Sequence, residues 1–130
     1  MNYISTRGNS QKVSASVAIL NGMVPKGGLY LPDEIPHFTL DELKEKVDLN
    51  YNSLAKWILN LYLDDFNEEE IAQAVDSAYC TPSFDTEDIA PVVKLEENLY
   101  ILELWHGPTA AFKDMALQLT PHLLVQSIKK

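Results

Sequence analysis

A chain of 130 residues, 46% hydrophobic and 22% charged, is long enough for one domain with its own core. Its net charge of −9, with basic residues standing singly or in pairs, excludes a nucleic-acid phosphate backbone as partner. One cysteine excludes an internal disulfide, and no apolar run nears the roughly 20 residues of a membrane span.

The opening MNYISTRGNS lacks the apolar core of a signal peptide, so a cytoplasmic protein without a membrane partner is expected. Tyr3 to Thr6 reads as a short strand. Ser10 to Leu20 carries Val13, Val17 and Leu20 at helical spacing, and Asn21-Gly22 supplies a stop. Gly27-Gly28 turns the chain into a second short strand, Leu29 to Leu31, closed by Pro32.

Two helix starts are explicit. Thr39 caps one and forms a capping box with Glu42, with Phe38 and Leu43 as a hydrophobic staple. Asn67 and Glu70 repeat the device, with Phe66 stapled to Ile71. Between them Leu54, Trp57, Ile58, Leu61 and Tyr62 form one apolar stripe at spacings of three and four. Ala74, Val75, Ala78 and Tyr79 continue the second helix. Both stripes read as core faces.

A soft boundary falls between Pro82 and Pro91. Beyond it, Val92 to Leu95 and Leu99 to Leu104 are β-rich runs joined at Glu96-Glu97-Asn98, which predicts a hairpin. Gly107-Pro108 then delivers the chain into a helix beginning at Thr109. Pro121 should kink or end that helix, because it cannot bond the Leu117 carbonyl. The pattern predicts a mixed α/β (α+β) protein, with a helix-rich domain over residues 1–90 and a hairpin and helix over 91–130.

Most chemistry-bearing residues here have plain readings. His37, His106 and His122 are too dispersed to share a metal, so none is expected, and Cys80 reads as a small half-buried residue. Gly22 and Gly27 have P-loop spacing, but Gly28-Leu29 follows instead of Lys-Ser/Thr. Glu68, Glu69 and Glu70 sit at a helix N-terminus, where carboxylates are favourable.

Lys113 is different. It falls in the first turn of the expected helix, where a cation is disfavoured by a few tenths of a kcal/mol. Its plain reading is an ammonium that reaches solvent on a partly buried stem. Its functional reading is a nucleophile. A helix N-terminus beside apolar Phe112 and Met115 disfavours the charged form, and neutral amines attack carbonyl carbon. Asp114 would oppose this only if it faced the amine, and adjacent helix residues point in different directions.

His106 to Asp114, HGPTAAFKD, resembles the pyridoxal phosphate lysine motif of threonine synthases, HGPT-x-AFKD. Residues 3–8, YISTRG, are similar to that family's opening. Gly22 to Pro32, GMVPKGGLYLP, is similar to its G-x-x-x-x-GGLY-x-P signature. The segment PVVKLEENLYILELWHGPTAAFKD looks like the opening of the catalytic domain of fold-type-II pyridoxal enzymes. Ala15, Trp105 and Ala110 depart from the family's common aromatic, phenylalanine and leucine.

The resemblance implies conversion of O-phospho-L-homoserine and water to L-threonine and phosphate. It implies that Lys113 holds pyridoxal 5′-phosphate as a Schiff base, that Phe112 packs near the cofactor, and that His106 and Thr109 border the substrate side. On its own spacing, Thr109 is equally a plain helix N-cap. Family enzymes are several times longer and hold the cofactor and substrate phosphates on segments with no counterpart here. The chain therefore corresponds to an N-terminal part, and alone it is expected to be inactive and not to keep the cofactor. A related pyridoxal lyase acting on another phosphorylated substrate, and a non-catalytic helical interaction module, are the alternatives. The helix after Thr109 would offer Phe112, Met115, Ala116 and Leu119 to a sheet absent from the chain. A homodimer covering that face is expected.

Overall fold

In the computed structural model, which describes residues 1–130, six helices and two small antiparallel sheets alternate along the chain. Strand β1 (Tyr3–Ser5) pairs with β2 (Tyr30–Pro32), Tyr3 opposite Pro32 and Ser5 opposite Tyr30. The strands are displaced by a residue from their expected ends, where Thr6 N still donates to the Leu29 carbonyl at 2.9 Å but a side chain replaces the return acceptor. The Leu29 amide donates to Thr6 Oγ1 at 3.0 Å rather than to a backbone carbonyl. Gly28 makes this possible: its φ is +107°, and a Cβ there would lie 3.0 Å from Thr6 Oγ1.

Helix α1 (Ala15–Asn21) is shorter than expected and presents another face. Val13 is held extended by a bridge to Tyr3, so the helix starts only after Ser14, whose hydroxyl accepts from the Val17 amide. Ala15 and Ala18 consequently face inward, while Val17 and Leu20, expected on the core side, are 39% and 44% exposed.

Helix α2 (Leu40–Lys44) carries the expected capping box: Glu42 N donates to Thr39 Oγ1 and Thr39 N to Glu42 Oε2. Helix α4 (Glu68–Ala78) repeats it with Asn67 and Glu70, and Phe66 and Ile71 are both buried. Helix α3 (Tyr51–Tyr62) corrects the expected stripe. Tyr51, Ala55, Leu59 and Tyr62 pack on the core, so of the predicted residues only Tyr62 does. The helix is apolar on a second side as well. There Trp57 packs on Phe38 with ring centroids 4.8 Å apart and planes tilted by 48°, and takes the Lys46 ammonium at 5.7 Å. Two apolar flanks make the helical period ambiguous in phase.

The hairpin is formed by β3 (Val92–Glu96) and β4 (Leu99–Leu102), with an irregularity between Lys94 and Glu96. Every residue of both strands is exposed.

The single helix expected after Thr109 is instead a turn over residues 107–113 followed by two short helices. These are α5 (Asp114–Leu117) and α6 (Thr120–Ile128), with Pro121 in the first turn of α6. Proline has no N–H to continue the ladder, and Thr120 Oγ1 donates to the Ala116 carbonyl at 2.7 Å across the break.

Helix α6 folds back on α1 and α4. Leu123 enters the core beside Phe66, Ile71, Val75 and Phe84, Gln126 bonds Gln73 at 3.0 Å, and Lys130 pairs with Glu70 at 2.9 Å. Part of the packing expected from a second copy is supplied by the same chain, which loses no association entropy. Met115 and Leu119 lean on the core, whereas Phe112 remains 65% exposed and Ala116 is also exposed. No helix is long and apolar enough to cross a membrane.

Candidate functional site

The chain leaves β4 and is pinned at His106. The imidazole lies between two carboxylates, with Nδ1 2.6 Å from Asp85 Oδ1 and Nε2 2.8 Å from Glu103 Oε2. The Asp85 amide donates back to the His106 carbonyl at 3.0 Å. Hydrogen bonds to Glu103 and then Asp85 favour the charged imidazolium and raise its pKa above the ordinary histidine value. Both ring nitrogens are engaged, so His106 acts here as a clamp between the hairpin and the loop at Asp85. No group of His, Cys, Asp and Glu in the structure is arranged to hold a metal ion.

From Gly107 to Asp114 the chain closes on itself. Asp114 is fully buried, and its carboxylate accepts from the Thr109 amide at 2.8 Å and from Thr109 Oγ1 at 2.9 and 3.0 Å. Burial alone would raise its pKa. The Thr109 amide and hydroxyl, aided by the Ala111 amide and the Gln118 side chain, outweigh burial and hold the carboxyl below its ordinary value. Gly107 lies flat against this group: a Cβ there would be 2.5 Å from Asp114 Cβ. Ala110, with φ of 54°, makes the left-handed step that bends the loop. Thr109 thus caps no helix of its own; both its donors serve Asp114.

Lys113 immediately precedes α5, in right-handed helical dihedrals, and its side chain is exposed. Its ammonium makes no hydrogen bond and no ion pair within the chain. The apolar enclosure expected from its neighbours is absent, for a geometric reason. Phe112 projects outward, while Met115 turns inward, its Sδ 3.4 Å from Tyr51 Oη and its carbonyl accepting from Tyr79 Oη at 2.6 Å.

Of the four residues singled out in the sequence, Lys113, Phe112, Thr109 and His106 lie on one continuous loop, with Phe112 and Lys113 outward and His106 tied to the body. Asp85, Glu103 and Asp114, which fix that loop, were not singled out as its anchors. Only Asp114 carried a signal, as an acid beside the lysine that turns away from it.

The family model described as threonine synthase N terminus matches residues 2–79. Threonine synthase of Methylobacillus glycogenes is 46% identical over 130 residues, covering 95% of this chain and 27% of that protein. The crystal structure of PLP-bound threonine synthase from Brucella melitensis is similar with a TM-score of 0.92 and 34% identity. That match covers 99% of this chain and 28% of the other. Yeast threonine synthase matches with a TM-score of 0.89 and 33% identity over 98% of this chain and 26% of its own. The chain spans about a quarter of the length of these relatives. Over the part it spans, motif order, family model and fold agree, and the chain belongs to the threonine synthase family.

Proposed function

We propose that this chain is the N-terminal part of an enzyme that converts O-phospho-L-homoserine and water to L-threonine and phosphate, with pyridoxal 5′-phosphate held on Lys113. The observation that carries the reading is the state of that amine: exposed and unpaired in an acidic chain, with the neighbouring carboxylate of Asp114 buried on Thr109.

The residues fit the aldehyde end of the cofactor. An aldehyde carbon can approach Lys113 Nζ without breaking an ion pair, and the ring of Phe112, one residue earlier in the chain, is exposed for a planar group to pack on. When bound, the pyridoxal group supplies an electron sink for charge developing at the substrate's Cα and Cβ. Lys113 Nζ serves as the base and acid that moves a proton at Cα and then at Cβ. Thr109 and His106 border the substrate side as shaped edges. Neither has a free proton to give, since the Thr109 hydroxyl is bonded to Asp114 and both His106 nitrogens to carboxylates.

In an enzyme of the relatives' length, residues 1–90 form the N-terminal domain and residues 91–130 open the catalytic one, although α6 packs back across that division. The enzyme works in the cytoplasm, with no nucleic-acid or membrane partner. The 130-residue chain by itself is inactive and does not retain the cofactor.

The test is phosphate release from O-phospho-L-homoserine by the product of the complete gene, with Lys113→Ala as control. Cofactor binding without release would move the assignment to a lyase on another phosphorylated substrate. A rate unchanged in Lys113→Ala would remove the lysine from the mechanism.

A further inference from the structure

The residue after the lysine has a geometry that helix capping does not explain. Asp114 opens α5, yet its carboxylate accepts nothing from the amides of that helix's next turn. It reaches back five residues to the amide and hydroxyl of Thr109. Its Cβ and carboxylate press on Gly107, where any side chain would collide. Hydrogen bonds to one buried anion thereby close the six residues 109–114, and its contact with Gly107 extends the ring to 107–114, with Lys113 as its last outward-facing member.

We propose that Asp114 is a positioning residue for Lys113, fixing the outward direction of the amine by closing this ring through Thr109. The proposal rests on the reading that Lys113 carries the cofactor. Three further observations support it. Only two backbone bonds lie within the ring, Ala110 N to Gly107 O and Asp114 N to Ala111 O, both 3.0 Å. Ala110 occupies a left-handed conformation that an alanine adopts only when its surroundings impose it. The same contact keeps the nearest carboxylate from pairing with the lysine ammonium, since both its oxygens are bonded to Thr109 on the inner side.

The test uses the product of the complete gene and two readouts, one of the reactivity of the amine and one of the bond that closes the ring. The first is the rate at which pyridoxal 5′-phosphate is captured on Lys113, measured by borohydride reduction and peptide mapping. The second is hydrogen exchange of the Thr109 amide. Asp114→Asn and Thr109→Val should each slow capture by about ten- to hundredfold, as loss of an orienting partner does elsewhere. The double variant should be no slower than either single one. Thr109→Ser should restore capture to near the unsubstituted rate, and Thr109 exchange should accelerate in Asp114→Asn while far-UV circular dichroism stays constant.

Unchanged capture in Asp114→Asn, or single effects that multiply in the double variant, would overturn the positioning role and leave the functional reading standing. If Asp114→Asn fails to fold, Thr109→Val against Thr109→Ser decides alone, because Thr109 is exposed. No capture on Lys113 in the unsubstituted protein would overturn the functional reading and this proposal together.

Discussion

Replacing Tyr79 by phenylalanine tests how firmly the helical body holds the lysine segment. The Tyr79 ring is 6% exposed and packs edge-on against Tyr51, centroids 4.9 Å apart, and against Phe84 at 5.9 Å. Phenylalanine keeps those contacts, so only the hydroxyl is lost. That hydroxyl donates to the Met115 carbonyl at 2.6 Å, where the break between α5 and α6 leaves the carbonyl without a bond from the Leu119 amide. A single hydrogen bond has a net worth of about 1 kcal/mol, and a buried acceptor left unpaired costs more, so the loss should be about 1–2 kcal/mol. For a chain this size that is a fall in Tm of about 4–8 °C. Urea titration followed by circular dichroism gives the global figure, and amide exchange at residues 116–120 should accelerate by about tenfold. There is also a pH signature. Burial, then the neighbouring Tyr51, raises the Tyr79 pKa above its ordinary value near 10. The associated stability is complete below that value and falls as pH climbs above it, so the unsubstituted protein should lose its advantage over Tyr79→Phe in strong alkali. A variant within about 0.5 kcal/mol of the unsubstituted protein, with unchanged exchange, would refute the idea that this bond ties the lysine segment to the body.

Phe84→Ala should cost about 3–5 kcal/mol in urea titration, since the ring is 0% exposed at the centre of the core. Trp57→Ala should cost about 1–2 kcal/mol, because that ring is only half-buried on Phe38. His106→Gln should remove a pH dependence measured by thermal unfolding: stability from the raised imidazole pKa is complete below about pH 6.5 and is lost as pH rises through the folded-state value. Sedimentation should show any self-association weakened by Phe112→Asp, whose ring is 65% exposed, whereas Leu119→Asp should instead lower Tm because Leu119 leans on the core.

Local chemistry was legible wherever one side chain answers one backbone group. The capping boxes at Thr39 and Asn67 and the break at Pro121 are of this kind, and the hairpin was legible from two β-rich runs either side of a turn. What misled was the direction of faces. Val17 and Leu20 match a helical stripe, but the bridge at Val13 delays α1 and hands the buried face to Ala15 and Ala18, whose small side chains suit the contact with α6. In α3 the stripe through Trp57 and the one through Leu59 have equal claim on the period, and only the position of α4 chooses between them. In the site, the turn at Gly107-Pro108 was readable from its residues. The closure of Asp114 on Thr109 and the clamping of His106 were not, because each depends on a turn whose shape the pattern of apolar residues does not encode.

The return of α6 to the body bears on synthesis. Leu123 completes a core whose other members lie at or before Ile89, so the nascent chain must leave part of that core uncovered while the hairpin and the lysine loop are made. At bacterial to eukaryotic elongation rates, the stretch from Phe84 to Leu123 takes about two to eight seconds. During that interval Ile71, Val75 and Phe84 lack their last neighbour, and the apolar hairpin strands emerge with both faces bare. A ribosome-associated chaperone, or slow codons placed after the segment encoding α6, would guard this window, whereas a pause before it would prolong the exposure.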